Sequence, residues 1–167
     1  IIIVRSNLSS NANGSVLETT LAGISDATPG NRYLIVLEPG RYTVGSTLVM
    51  KSGVDIAGFE KGSSILGSST GTPLMTVNQG FVTNLTIEGD DTSPAVEIGE
   101  GLATLRHVHI ESSGTAVLLP TPTGFRKLEF EDSSLQVLCY SSECRGIDAK
   151  GGSSLAFTRS SVEILGY

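Results

Sequence analysis

Between Leu74 and Ala149 apolar and polar residues alternate in short runs, and the runs recur. Leu74-Met75-Thr76-Val77, Ala95-Val96-Glu97-Ile98, Ala116-Val117-Leu118-Leu119 and Gly146-Ile147-Asp148-Ala149 start 21, 21 and 30 residues apart. Leu34-Ile35-Val36-Leu37 and Val54-Asp55-Ile56 extend the series upstream at intervals of 20. A second strand follows about ten residues later in each unit: Leu85-Thr86-Ile87-Glu88, Val108-His109-Ile110-Glu111, Leu128-Glu129-Phe130-Glu131 and the less regular Leu155-Ala156-Phe157-Thr158. Spacing of two means a strand with one buried face; a helix needs three and four. Gly, Ser, Asp and Thr fill the gaps, as corners require.

Such a unit cannot bury its apolar face alone. Stacking copies about 4.8 Å apart pairs every strand with a parallel neighbour and closes one core. The pattern therefore predicts an all-β chain, a right-handed parallel β-helix of about six coils, as one domain over residues 1–167. Inward columns are expected at Val77, Ile98 and Leu119, at Leu85, Val108 and Leu128, and at Ile87, Ile110 and Phe130. A cap over about residues 1–30 precedes the coils, which begin at about residue 31. There Ser15 as N-cap with Glu18 at N3 predicts a short helix whose Leu17, Leu21 and Ile24 share a face. No comparable cap follows Ile164, so the natural protein is expected to continue beyond Tyr167.

Composition sharpens this picture. Of 167 residues 39% are hydrophobic, enough for a core, while 20 are Gly, none is Trp and only 5% are aromatic. The net charge of −6 removes the usual electrostatic footprint for nucleic acid, and no apolar run approaches membrane-spanning length. Cys139 and Cys144 flank a short Ser-rich stretch. They read as a local disulfide, implying an oxidising compartment, or else as two thiols. Neither His107 nor His109 is close in sequence, so no metal centre is expected there. Asn7, Asn13 and Asn84 open glycosylation sequons, meaningful for a secreted eukaryotic chain.

Leu37-Glu38-Pro39-Gly40-Arg41-Tyr42, followed by Val54-Asp55-Ile56-Ala57-Gly58-Phe59, resembles the opening coils of the pectin-lyase-like β-helix superfamily. That resemblance implies the fold but not one activity, because the superfamily holds lyases, esterases, hydrolases, phage tailspikes and noncatalytic surface modules. Among its enzymes the chain looks most like pectin methylesterases, on Phe81-Val82-Thr83-Asn84-Leu85-Thr86-Ile87-Glu88. Pro94 stands in place of that family's first Gln, and Gly114-Thr115-Ala116-Val117-Leu118 in place of its Gln-Asp acid/base pair. Gly146-Ile147-Asp148-Ala149 falls near its nucleophilic Asp. Thr76, Glu97, Leu118 and Asp148 would form one outward column, making Asp148 and Glu97 the catalytic candidates with Leu118 where a second carboxyl belongs.

A second constellation is an outward stripe of Glu88, Glu111 and Glu131, with His109 beside it between Thr86 and Glu129. It reads either as a polar-ligand or cation ladder, for which calcium would be the fitting cofactor, or as a solvated stripe that discourages edge pairing. Three functions follow as expectations. The first is a noncatalytic extracellular module, structural or binding a polysaccharide. The others are a divergent carbohydrate esterase or polysaccharide lyase acting on acidic glycans, and a trimeric phage tailspike or cell-surface adhesin fragment.

Overall fold

The computed structural model of the chain describes residues 1–68, 71–121, 124–139 and 144–166. It opens with β1 (Ile2–Val4) and α1 (Ser10–Gly23), and then winds coil upon coil. The first coil is β2 (Tyr33–Leu37), β3 (Gly40–Val44) and β4 (Leu48–Met50). The second is β5 (Val54–Gly58), β6 (Ser64–Ser68) and β7 (Met75–Val77). The third is β8 (Gly80–Thr83), β9 (Thr86–Glu88) and β10 (Val96–Ile98). The fourth is β11 (Gly101–Arg106), β12 (His109–Ser112) and β13 (Thr115–Leu119). The fifth is β14 (Arg126–Glu131), β15 (Ser134–Cys139) and β16 (Arg145–Ala149), and two further strands, β17 (Ser153–Thr158) and β18 (Ser161–Gly166), begin a sixth.

Each strand pairs in parallel with its counterpart one coil away, giving three sheets around one core. Sheet I is β1-β2-β5-β8-β11-β14-β17, sheet II is β3-β6-β9-β12-β15-β18 and sheet III is β4-β7-β10-β13-β16. The parallel β-solenoid expected from the repeat is present, with five complete coils and a partial sixth. A coil carries three strands, however, where the sequence suggested two. Leu34–Leu37 and Val54–Ile56 consequently belong to sheet I, and the upstream member of the sheet III series is Leu48–Met50, in register with Met75–Val77.

The columns show the same shift. Val77 pairs with Ile98 in sheet III as expected, and Leu119 is followed there by Ala149. Ile87 and Ile110 are joined by Leu135 rather than by Phe130, which lies in sheet I between Leu105 and Phe157. Leu128 likewise sits in sheet I beside Ala103 and Leu155. Its expected place beside Leu85 and Val108 is taken by Ser133, buried at the corner. Ser133 Oγ accepts from the Val108 N–H and donates to the Leu105 carbonyl, so no polar atom is stranded there. Burying each aliphatic side chain of these columns stabilises the stack by about 1.5–3 kcal/mol.

The corner between sheets I and II is short enough to force a left-handed residue in successive coils. Asn84, His107, Asp132 and Arg159 take φ of 56°, 51°, 46° and 46°. Their side chains form a polar column, in which Arg159 holds Asp132 at 2.6 and 2.7 Å and His107 Nε2 lies 3.6 Å from Asp132.

The helix begins earlier than its sequence signal suggested. Ser9, not Ser15, is the N-cap and accepts from Ala12 N–H at 3.4 Å. Leu17, Leu21 and Ile24 are buried as expected. Glu18 does not cap the helix; it accepts from the Gly45 and Ser46 N–H groups and the Ser46 hydroxyl, tying α1 to the first coil. The helix packs against β3 and β4 while β1 pairs with β2, so helix and strand together cover the amino-terminal end of all three sheets.

Candidate functional site

The outward column predicted on sheet III is present. Thr76 pairs with Glu97, Glu97 with Leu118, and Leu118 with Asp148. Glu97 and Asp148 are thus two rungs apart, about 9.6 Å along the stack, with an apolar side chain between them. Asp148 Oδ2 receives Arg145 Nη1 at 2.7 Å and Lys150 Nζ at 3.2 Å. The Lys150 and Arg145 cations hold its carboxyl below the usual carboxylate range. It is a neutralised carboxylate at the surface. It lacks the neighbouring carboxyl that ester hydrolysis would take as acid and base among the described residues.

The acidic stripe forms in part. Glu88 and Glu111 are directly paired neighbours on sheet II, but the next residues of the column are Gln136 and Glu163. Glu131 lies on sheet I beside Arg106 and Thr158, because Leu128–Glu131 is a first-sheet strand. His109 has Thr86 and Ser134 as its coil neighbours; Glu129 faces Thr104 and Ala156 on sheet I.

Sheet II therefore presents two outward rows in register. One runs Arg41, Ile65, Thr86, His109, Ser134 and Ser161; the other runs Thr43, Gly67, Glu88, Glu111, Gln136 and Glu163. Two like charges side by side oppose pairing. Arg41 offsets this by reaching across Gly67 to grip both oxygens of Glu88, with Nη2 to Oε1 at 2.9 Å. A Cβ built on Gly67 would lie 3.9 Å from both Arg41 Nη1 and Glu88 Oε2, so the ion pair rests on the face that the glycine leaves open.

His109 Nδ1 is 2.9 Å from Ser134 Oγ. The corner loop 59–63 folds down over the row beside it. Gly62 N–H donates to Thr86 Oγ1 at 3.2 Å, and Lys61 Nζ donates to Ser134 Oγ at 3.3 Å. Exposed Phe59 opens that same loop. Lys61 was not a sequence candidate. Its loop carries no apolar rhythm, and its contact lies 73 residues away in the chain.

Cys139 ends β15 and Cys144 precedes β16; the residues between them lie outside the described residues. Cys139 and Cys144 are free thiols in this structure, close enough to hydrogen-bond to each other. The hydrogen bond to Cys144, with burial, pushes the Cys139 thiol up to about 11. Asn13 is 2% exposed inside α1, with its amide donating to the Leu8 and Arg41 carbonyls, so this sequon is closed to modification in the folded chain. Among the described residues no group of three or more His, Cys, Asp or Glu side chains is placed to hold a metal, and no helix is long and apolar enough to cross a membrane.

No family model matches the chain, and neither a curated protein nor a solved structure does.

Proposed function

We propose that the chain is a noncatalytic, extracellular β-solenoid module that binds a polysaccharide along sheet II. The observation that carries this reading is the pair of outward polar rows, whose donors and acceptors repeat at the strand spacing of about 4.8 Å over successive coils. A ligand that matches such a ladder is long, extended and rich in hydroxyls. The backbone beneath is fixed by ladder hydrogen bonds on both sides of each inner strand, so the rows are organised before binding. Phe59, exposed at the sheet I–sheet II corner, adds an aromatic face beside them. The esterase reading loses ground on Asp148, whose charge is spent on Arg145 and Lys150.

The test is a polysaccharide array on the purified chain, scored for retention and for product release, with and without calcium. Retention without release is expected. It should be lost in a Glu111→Lys, Gln136→Ala double variant that keeps the thermal midpoint of the parent. Product release, or retention indifferent to those substitutions, would overturn the proposal.

A further inference from the structure

Within the sheet II face one cluster differs in charge from its surroundings. Lys61 comes from the second coil, His109 from the fourth and Ser134 from the fifth, yet their polar atoms converge: Ser134 Oγ lies 2.9 Å from His109 Nδ1 and 3.3 Å from Lys61 Nζ. Ser161 continues the row as the next neighbour of Ser134. An ammonium, an imidazole and two hydroxyls thus face one patch of a surface whose Arg41 is paired with Glu88. Resting on the reading of sheet II as the ligand face, we propose that Lys61, His109 and Ser134 form a subsite for a tetrahedral oxyanion, a sulfate or phosphate ester carried by the bound glycan.

Two features choose the ligand class. Planar carboxylates are matched by the arginine fork, whereas lysine serves phosphate-like groups as a point charge. The guanidinium on this face, Arg41, is already held by Glu88, which leaves lysine, imidazole and hydroxyl donors approaching from different directions. Glu111 stands two residues along β12 from His109, about 7 Å away, and Glu60 adjoins Lys61. With a net charge of −6 these carboxylates repel a densely charged polymer. The site therefore suits an isolated ester on a largely neutral chain.

Titration calorimetry at low salt with glucose, glucuronic acid, glucose 6-sulfate and glucose 6-phosphate tests this directly. One or both of the esters should bind at least about tenfold more tightly than glucose and glucuronic acid, and added salt should erode the difference. Lys61→Met should abolish the preference and Ser134→Ala weaken it, with thermal midpoints unchanged because Lys61 is exposed. Comparing the sulfate and phosphate arms identifies the ester. Equal binding of all four sugars, or a Lys61→Met variant that keeps the preference, would overturn the subsite. Neutral glycans retained on the array and lost in the sheet II double variant would then leave the broader reading standing. Failure of every ligand in both assays would remove both.

Discussion

At the scale of single residues the solenoid is pinned at its corners. Asp132 shows how. It sits in the left-handed corner between sheets I and II, and Arg159 from the next coil grips both its oxygens. That hydrogen-bonded ion pair lowers the Asp132 pKa below its usual value, with smaller help from the charges of His107 and Arg106. A carboxyl whose folded pKa is depressed contributes stability that is present above its unfolded value, near 3.9, and lost as pH falls through the folded value. Melting temperatures followed from pH 6 down to pH 2 should therefore drop less steeply for Asp132→Asn than for the parent chain. Parallel curves would show that the bridge is too well solvated to matter, as many exposed pairs are. Arg126 does the same work from inside. It is 7% exposed, and its guanidinium bonds the Gly99 and Pro120 carbonyls, closing the corner before β14.

At the scale of elements, the junction of α1 with the first coil is the tightest. Gly14 faces β3 so closely that a Cβ there would fall 1.9 Å from the Thr43 carbonyl oxygen and 2.4 Å from its carbon. Backbone cannot yield as a side chain does, so Gly14→Ala must lift the helix despite alanine's better helix propensity. A loss of about 1–3 kcal/mol in urea unfolding is expected. An unchanged or raised midpoint would mean that the cap is looser than this packing. The sequence announced a helix here through Leu17 and Leu21 but misplaced its start, because the Ser15–Glu18 spacing imitates a capping box while Glu18 serves the Gly45–Ser46 turn. Sheet III was legible for a physical reason. Its strands bury Val77, Ile98 and Leu119 between polar corners, and the third and fourth coils keep an interval of 21 residues. Sheet I was hidden. Its strands β8 and β11 open with glycine and turn Phe81 or Thr104 outward, so they imitate corners. Period-two alternation also says nothing about which of three sheets a strand joins, and this is how Glu131 came to be read with Glu88 and Glu111. The Lys61 contact had no local signal at all, because it exists only once four coils, the second to the fifth, are stacked.

At the scale of the whole molecule, the two ends of the stack are unlike. α1 and β1 cover the amino-terminal end. At the other end, β16, β17 and β18 are the outermost strands of their sheets, and Leu155, Phe157, Val162 and Ile164 stand exposed in columns that are buried one coil below. Phe157 is 45% exposed while its neighbour Phe130 is 0%, their rings 5.8 Å apart and tilted. A solenoid's stability is a sum of coil terms and interfaces between neighbours, so the same substitution should report its depth in the stack. Phe130→Ala removes a ring enclosed from both sides and should cost about 3–5 kcal/mol. Phe157→Ala removes a ring covered from one side only and should cost about 1 kcal/mol, the worth of an aromatic pair. Native-state hydrogen exchange should follow the same gradient, with β17 and β18 opening at lower free energy than β11 and β12. If instead the two phenylalanine variants cost the same, and β18 is protected as well as β12, this end is covered in solution.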